Sequence, residues 1–165
     1  MIKLIVLDVD GTLTDGDISY TQKGDELKTF NVKDGLGIAL WKKLGGEVAI
    51  ITGRNSEILE KRTNELKVKY LKQGTQNKSE ALREILKEAN LKNDEIAVIG
   101  DDLNDISMLK MTKYSFCPKD ATKEVKKIVA KVLCKKGGKG AVREMIDFLI
   151  KKENRTKEVC KIFGV

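Results

Sequence analysis

The chain has 165 residues, of which 41% are hydrophobic, and it carries a formal net charge of +7. This length suits one domain with a helix-covered sheet and leaves little room for a second. No apolar stretch reaches the roughly 20 residues of a membrane span, and Asp8 interrupts the first apolar run before a signal peptide could form. We therefore expect a cytoplasmic protein without a membrane partner. Histidine is absent, which excludes a Ser-His-Asp triad, phosphohistidine chemistry and the usual zinc sites.

The positive charge is concentrated near the C-terminus. Residues 1–117 hold 18 Lys and Arg against 19 Asp and Glu, whereas residues 118–165 hold 14 against 6. This basic third contains two aromatic residues, Phe148 and Phe163, so its lysines are interpreted as a solvated face or as a field for anionic substrates, and no nucleic-acid partner is expected. The cysteines are too far apart for a CxxC motif and are interpreted as reduced and structural: Cys117, Cys134 and Cys160.

Strand and helix patterns alternate along the chain. An apolar strand over residues 2–9 precedes a β-hairpin over about 17–32, and a helix that starts at Asp34 ends at Gly45 and Gly46. The alternation continues with strand 47–51, a helix from its cap Ser56 to Leu66, strand 68–71, a helix with a buried stripe from Ala81 to Ala89, strand 95–99, helix 104–111, strand 114–117, helix 121–130, strand 131–134 and helix 139–151. The pattern predicts a doubly wound (Rossmann-like) α/β fold, a parallel sheet with helices on both faces, in one domain over residues 1–152 with a tail at 153–165.

The segment DVDGTLTDG at residues 8–16 follows directly on the first apolar run. In a strand, residues i and i+2 point the same way, so Asp8 and Asp10 would face one small volume. Two negative charges at such a short distance disfavour ionisation of both carboxyl groups unless a cation lies between them. The spacing therefore points to a metal. Because Asp and Gly are also common turn residues, the segment by itself leaves an ordinary turn open.

A second acidic cluster, GDDLND at residues 100–105, follows the predicted strand 95–99. Acid-rich turns behind two strands of one parallel sheet converge at its carboxyl edge, where such folds bind ligands. Hard oxygen ligands of this kind suit Mg²⁺. The turn N–H groups of Gly11 and Thr12 could add donors around a phosphate group.

Two further polar residues follow predicted strands: Thr52 and Lys78. Together with Asp8, Asp10 and the cluster at 101–105, in this order, they resemble the four motifs of the haloacid dehalogenase superfamily of phosphohydrolases. The resemblance implies that Asp8 attacks phosphorus to form an aspartyl-phosphate and that Asp10 acts as general acid and then general base. It also implies that Thr52 donates a hydrogen bond to a phosphoryl oxygen and that Lys78 offsets negative charge.

The same resemblance implies a magnesium site. Its ligands would be the Asp8 carboxylate, the Asp10 backbone carbonyl and the Asp101 carboxylate, with Asp102 or Asp105 acting through water. An aspartate two positions after the nucleophile is kept by phosphatases and mutases of this superfamily, so Asp10 favours hydrolysis.

The chain has no cap domain between its motifs. The gap from Gly11 to Ile51 holds a hairpin and a helix, and the gap from Gly53 to Asn77 holds a helix and a strand. A site at the rim of an uncapped sheet is open to water, and subunit association is the expected cover. Five segments resemble the cap-less 3-deoxy-D-manno-octulosonate 8-phosphate phosphatases: ELKTFNVKDGLGI (26–38), VAIITGR (48–54), QGTQNKSEAL (73–82), VIGDDLND (98–105) and GGKGAVRE (137–144).

This closer resemblance implies a homotetramer in which the hairpins pack together and a neighbouring subunit with its C-terminal tail closes each site. It also implies substrate-binding residues after the first two motifs, with Arg62 reaching an adjacent subunit's site: Lys33, Asp34, Gly35, Gly53, Arg54, Ser56 and Arg62. A helix N-cap is the alternative role for Asp34, and a solvated helix face is the alternative for Arg62.

The function implied is Mg²⁺-dependent hydrolysis of a small anionic sugar phosphate, 3-deoxy-D-manno-octulosonate 8-phosphate, in lipopolysaccharide precursor synthesis. A phosphatase of nonulosonate 9-phosphates or a generalist phosphatase would need the same catalytic set, so both stay open. An inactive scaffold protein is disfavoured because Asp8, Asp10 and Asp101 are all present, and a nucleic-acid-binding protein is disfavoured by the scarcity of aromatic residues in the basic third.

Overall fold

The computed structural model describes residues 1–164; Val165, the last residue of the predicted tail, lies outside the described residues. The strands are β1 (Leu4–Leu7), β2 (Ser19–Tyr20), β3 (Glu26–Leu27), β4 (Glu47–Ile51), β5 (Tyr70–Lys72), β6 (Ile96–Ile99), β7 (Ser115–Cys117) and β8 (Lys131–Val132). The helices are α1 (Val32–Lys43), α2 (Glu57–Glu65), α3 (Lys78–Ala89), α4 (Ile106–Leu109), α5 (Lys123–Ile128), α6 (Ala141–Lys152) and α7 (Thr156–Phe163). Single 3-10 turns at Asn93–Glu95 and Leu103–Asp105 precede β6 and α4.

The central sheet has the strand order β5-β4-β1-β6-β7-β8, and every pairing in it is parallel. Strand β1 is completely buried and pairs with β4 on one side and β6 on the other. The chain therefore builds the sheet outward from β1 to β5 and then crosses to the other side of β1 with β6. A reversal of this kind opens a crevice at the carboxyl ends of the two strands beside it.

Apolar side chains of β1 alternate between two hydrophobic clusters, as the pleat of a strand requires. Ile5 and Leu7 pack in the cluster that α1, α2 and α6 cover, whereas Leu4 and Val6 pack in the cluster that α3, α4 and α5 cover. The predicted doubly wound α/β fold with helices on both faces is thereby confirmed.

Helix α1 begins two residues before the predicted start at Asp34, because Asn31 is its N-cap and accepts from the Lys33 N–H at 2.8 Å. The alternative N-cap role of Asp34 in its own helix is therefore wrong. Asp34 is buried in the first turn, and its Oδ1 accepts the backbone N–H of Arg143 at 2.7 Å. The N-cap residue Gly140 provides no side-chain cap to α6. Asp34 of α1 takes that role, because it accepts one of the free backbone N–H groups in the first turn of α6.

The loop after β1 leads into the predicted hairpin, whose strands β2 and β3 pair antiparallel. Within residues 1–164, β1 and β4 are joined by this hairpin and α1, and β4 and β5 are joined by α2, so no cap is inserted there. None of the helices in the described part of the chain is long and apolar enough to cross a membrane.

The predicted tail contains helix α7, which the polar sequence did not suggest. The Glu153 carboxylate accepts the backbone N–H of Ile2 at 2.5 Å, and Arg155 donates to the backbone carbonyl of Leu44 at 2.6 Å. Val159 and Ile162 pack against the hydrophobic cluster beneath α1 and α6. Two further helices are shorter than predicted: the 104–111 segment is a 3-10 turn followed by the four-residue α4, and the 121–130 segment has six helical residues in α5.

Candidate active site

Four loops meet at the carboxyl edge of the sheet beside β1. Strand β1 ends at Leu7, one residue before Asp8, and β6 ends at Ile99, two residues before Asp101. Because these strands are neighbours at the crossover, the two aspartates come together although 93 positions separate them in the sequence. Carboxylate oxygens of Asp8, Asp101 and Asp105 lie within 4.8 Å of one another.

Lys78, the first residue of α3, neutralises part of this charge. Its side chain is 1% exposed, and its Nζ lies 2.5 Å from Oδ1 of both Asp8 and Asp105. Burial by itself lowers the pKa of the Lys78 ammonium, but the two carboxylates outweigh burial and raise that pKa above its usual value. Burial, together with the Asp105 charge, raises the pKa of Asp8 well above its usual range, against the opposing effect of Lys78.

Asp105 is fully buried and holds the second acidic loop in shape. Its Oδ2 accepts the backbone N–H groups of Asp101 at 2.9 Å and Asp102 at 3.2 Å. With Oδ1 on Lys78, both of its oxygens are engaged by donors. Asp102 is exposed and accepts the Leu103 N–H at 2.7 Å, so its side chain forms the outer end of the 3-10 turn.

Asp101 approaches the first loop closely, and glycine makes the approach possible. Its Oδ1 accepts the Thr12 hydroxyl at 3.1 Å. A Cβ built on Gly11 would lie 2.6 Å from Asp101 Cγ, and Gly11 also has a φ of +94°, so a larger residue would be excluded on both counts. Burial and the charge of Asp105 raise the pKa of Asp101 to about 6.

The donor set fits a small, hard cation. Three carboxylates share one buried region with Lys78 between two of them, and burial together with the neighbouring Asp105 charge raises the pKa values of Asp8 and Asp101. Because both Asp105 oxygens already accept from donors, the remaining oxygens of Asp8 and Asp101 are the ones best placed to bind a metal. An all-oxygen set of this kind suits Mg²⁺.

Asp10 has different partners from Asp8. Its Oδ1 pairs with the Lys28 ammonium, and its Oδ2 lies 3.5 Å from the hydroxyl of Thr52. Lys28 belongs to the hairpin, has a side chain only 4% exposed and lies 3.4 Å from a carboxylate oxygen of Glu26. The sequence analysis missed Lys28, because a hairpin lysine has no pattern that separates it from a solvated one.

The first loop is held by its own hydrogen bonds. The N–H of Gly11 donates to the Thr14 hydroxyl at 3.3 Å, and the N–H of Thr12 donates to the Val9 carbonyl at 3.1 Å. These two amides, predicted to face a phosphate group, are thus engaged within the loop in this structure. The Gly138 N–H donates to the Thr12 carbonyl at 3.0 Å, so the 137–140 loop braces the same turn, a role not assigned from the sequence.

The predicted substrate-binding residues fall into two groups. Around α1, Gly35 lies under the Arg62 guanidinium, with Arg62 Cζ 3.5 Å from a Cβ built on Gly35, and Arg62 also lies over the Phe30 ring and pairs with Glu65. Lys33 is exposed, and the Asp34 carboxylate is directed to α6 as described above.

After β4, Arg54 donates to Glu26 at 2.9 Å and to the Tyr20 hydroxyl at 3.3 Å. Ser56 caps α2 by accepting the Leu59 N–H at 3.4 Å. Gly53 follows Thr52 directly, at the rim that also contains Asp10. Residues 52–54 and the hairpin therefore form one wall beside Asp10.

Comparison with known proteins gives a consistent result. A family model described as haloacid dehalogenase-like hydrolase matches residues 71–146. The chain is 38% identical over 155 residues to the 3-deoxy-D-manno-octulosonate 8-phosphate phosphatase KdsC of Haemophilus influenzae, and the match covers 94% of this chain and 86% of that protein.

Solved structures are also similar over nearly the whole chain. The 3-deoxy-D-manno-octulosonate 8-phosphate phosphatase of Moraxella catarrhalis, crystallised with a magnesium ion, a phosphate ion and a KDO molecule, has a TM-score of 0.93 and 34% identity, with 98% of this chain and 93% of that chain covered. The cobalt-bound form of the Haemophilus influenzae deoxy-D-mannose-octulosonate 8-phosphate phosphatase has a TM-score of 0.88 and 39% identity, with 91% and 88% covered.

Proposed function

The chain belongs to the haloacid dehalogenase-like hydrolases, in the family of 3-deoxy-D-manno-octulosonate 8-phosphate phosphatases, and from this premise we propose that it hydrolyses 3-deoxy-D-manno-octulosonate 8-phosphate with Mg²⁺. The observation that carries the proposal is the buried contact of Lys78 with Asp8 and Asp105, beside Asp101. It brings a nucleophile, a buried cation and a metal-binding carboxylate together at the crossover point of the sheet.

Asp8 is the nucleophile in this proposal. Lys78 holds its Oδ1 at 2.5 Å, which fixes the carboxylate for attack on phosphorus to form the aspartyl-phosphate. Lys78 also opposes the burial that raises the pKa of Asp8, because protonation of Asp8 would leave the ammonium with one charged partner fewer. Asp8 and Asp101 would hold Mg²⁺, and the ion would supply positive charge to offset that of the transferring phosphoryl group.

Asp10 is the general acid and base in this proposal. It gives a proton to the sugar oxygen as the phosphorus–oxygen bond breaks, and it then takes a proton from the water that hydrolyses the aspartyl-phosphate. The Thr52 hydroxyl lies 3.5 Å from Asp10 Oδ2 and, with substrate bound, would donate its hydrogen to a phosphoryl oxygen. The products are the free sugar acid and inorganic phosphate, and Asp8 is restored.

Phosphate release from 3-deoxy-D-manno-octulosonate 8-phosphate tests this function. We expect release with Mg²⁺, none after chelation with EDTA, and none from Asp8→Asn; Asp94→Asn, the same change at an exposed aspartate, should retain full activity. A nonulosonate 9-phosphate and a hexose 6-phosphate complete the panel. Activity of Asp8→Asn would contradict the mechanism, and equal kcat/KM on all three sugars would contradict the substrate.

We propose further that four copies of the chain assemble through the hairpin. Ile18, Tyr20 and Leu27 are 50%, 61% and 54% exposed, which is unusual for three large side chains in one short hairpin. Burying them between subunits would also place neighbouring residues over the uncapped site. Sedimentation velocity should give a tetramer for the wild type and a smaller species for Tyr20→Lys with Leu27→Lys; a monomeric wild type would contradict the assembly.

A further inference from the structure

A chain of charged side chains connects the hairpin to Asp10. Arg54 Nη2 lies 2.9 Å from Glu26, Glu26 lies 3.4 Å from the Lys28 ammonium, and Lys28 pairs with Asp10. Thr52, two residues before Arg54, contacts the other oxygen of Asp10 at 3.5 Å. The contacts therefore form a closed ring through the loop after β1, the hairpin and the loop after β4.

The pleat of the hairpin explains why Lys28 turns inward. Successive side chains of an extended segment point to opposite sides, and the side chains of Glu26 and Lys28 are 15% and 4% exposed, whereas Leu27 between them is 54% exposed. A lysine side chain this buried requires a charged partner. Asp10 and Glu26 supply two, so Lys28 is specified by its surroundings and is not a solvated residue that happens to lie near the site.

We infer that Lys28 is a positioning residue that orients the Asp10 carboxyl group for proton transfer. This inference rests on the proposed function, in which Asp10 is the general acid. Lys28 holds Oδ1, so the carboxyl group is fixed with Oδ2 toward Thr52 and the rim, where the leaving oxygen of the substrate must lie. Glu26, itself held by Arg54, keeps the lysine from swinging out into water.

The chemistry of the leaving group distinguishes this positioning role from a general structural role and from a role in substrate binding. An alkoxide leaves from phosphorus with a proton from the general acid, whereas p-nitrophenolate leaves without one. A residue that orients the acid therefore matters for alkyl phosphates and little for p-nitrophenyl phosphate. A residue that binds the sugar carboxylate matters for the acidic sugar phosphate and not for its C1 amide, which has the same leaving oxygen.

The experiment measures kcat/KM with Mg²⁺ for these three substrates in the wild type, Lys28→Met and Lys28→Arg. Lys23→Met, the same change at an exposed lysine of the same hairpin, is the matched control. We expect Lys28→Met to lose at least about tenfold on the sugar phosphate and on its amide, and less than about threefold on p-nitrophenyl phosphate. Lys28→Arg should recover most of the loss, because the guanidinium restores a donor to Oδ1.

Three other results would overturn the inference. Equal losses on all three substrates would indicate a general structural role, a loss restricted to the acidic sugar phosphate would indicate substrate binding, and unchanged kinetics would indicate no role. If Lys28→Met fails to fold, Lys28→Gln is judged by the same ratios. A wild type inactive on every substrate would instead contradict the proposed function, so the two failures are distinguishable.

Discussion

Replacing Gly137 with alanine should misplace the catalytic loop while leaving the fold intact. Gly137 belongs to the loop that braces the first motif, and its N–H donates to Asp120 Oδ1 at 3.0 Å. A Cβ at this position would lie 2.5 Å from the carbonyl carbon of Gly11 and 2.9 Å from the carbonyl oxygen of Thr14. Both obstacles are backbone atoms, so no side chain can rotate away.

The size of the displacement follows from these distances. Ordinary van der Waals contact begins at 3.4 Å, and the Gly11 carbonyl oxygen lies even closer to the built Cβ than its carbon at 2.5 Å, so the two groups must separate by at least about 0.9 Å. Gly11 is bonded to Asp10, which therefore moves with it. A misplacement of about 1 Å costs roughly 100-fold in rate, and overpacking of this kind costs about 1–3 kcal/mol of stability.

The assay is phosphate release with saturating Mg²⁺, normalised to folded protein measured by thermal unfolding. Gly45→Ala is the control, because Gly45 has a φ of +85° with no atom within 4 Å of a built Cβ. It should lower Tm through backbone strain and leave kcat/KM of the folded protein unchanged. A Gly137→Ala protein with wild-type kcat/KM would refute the idea that the 137–140 loop sets the position of Asp10.

Three further predictions concern buried charges. Lys78→Met should abolish activity and cost about 3–5 kcal/mol in urea unfolding, because Asp8 and Asp105 would lose their buried cation; unchanged stability would contradict the buried pairing. Mg²⁺ affinity by calorimetry should fall about tenfold per pH unit below the Asp101 pKa of about 6, because protons compete for the ligand, and a flat profile would exclude Asp101 as a ligand. Burial raises the pKa of Asp34 above its usual value of 3.8, so this carboxyl group stabilises the fold below its unfolded pKa and loses that contribution as pH rises through the folded pKa. The stability of Asp34→Asn relative to the wild type, measured by urea unfolding, should therefore increase as pH rises above the usual aspartate pKa. A relative stability that falls over this range would show that the fold favours the ionised form.

The sequence predicted the architecture well because each strand and helix is specified by a local pattern of apolar residues. Most strands of the main sheet are short apolar runs, and the turns behind them contain the residues proposed for the chemistry. The convergence of Asp8 with Asp101 followed from the rule that parallel strands end at one edge, and the observed order of β4, β1 and β6 confirms the arrangement of strands on which that argument depended.

What the sequence could not predict depends on contacts between distant segments. Asp34 looked like a helix start, but its partner is an amide 109 positions later in α6. In the sequence, Lys28 has the pattern of an exposed hairpin lysine, and its contact with Asp10 is seen only in the folded structure. Helix α7 is fixed by contacts with distant segments, through Val159 in the hydrophobic cluster and through the Arg155 guanidinium on the Leu44 carbonyl.

The brace at residues 137–140 has a consequence for the order in which the protein is made. Every residue proposed for chemistry lies in the first 105 positions, yet the turn that contains Asp10 rests on a loop synthesised more than thirty residues later. A nascent chain that has just emerged through α4 already contains the proposed nucleophile, proton carrier and metal-binding carboxylates, but it lacks the 137–140 loop that braces their turn. The complete site therefore forms late in synthesis, after α6 has packed on α1 and the Asp34 carboxylate has accepted the Arg143 N–H at the start of α6.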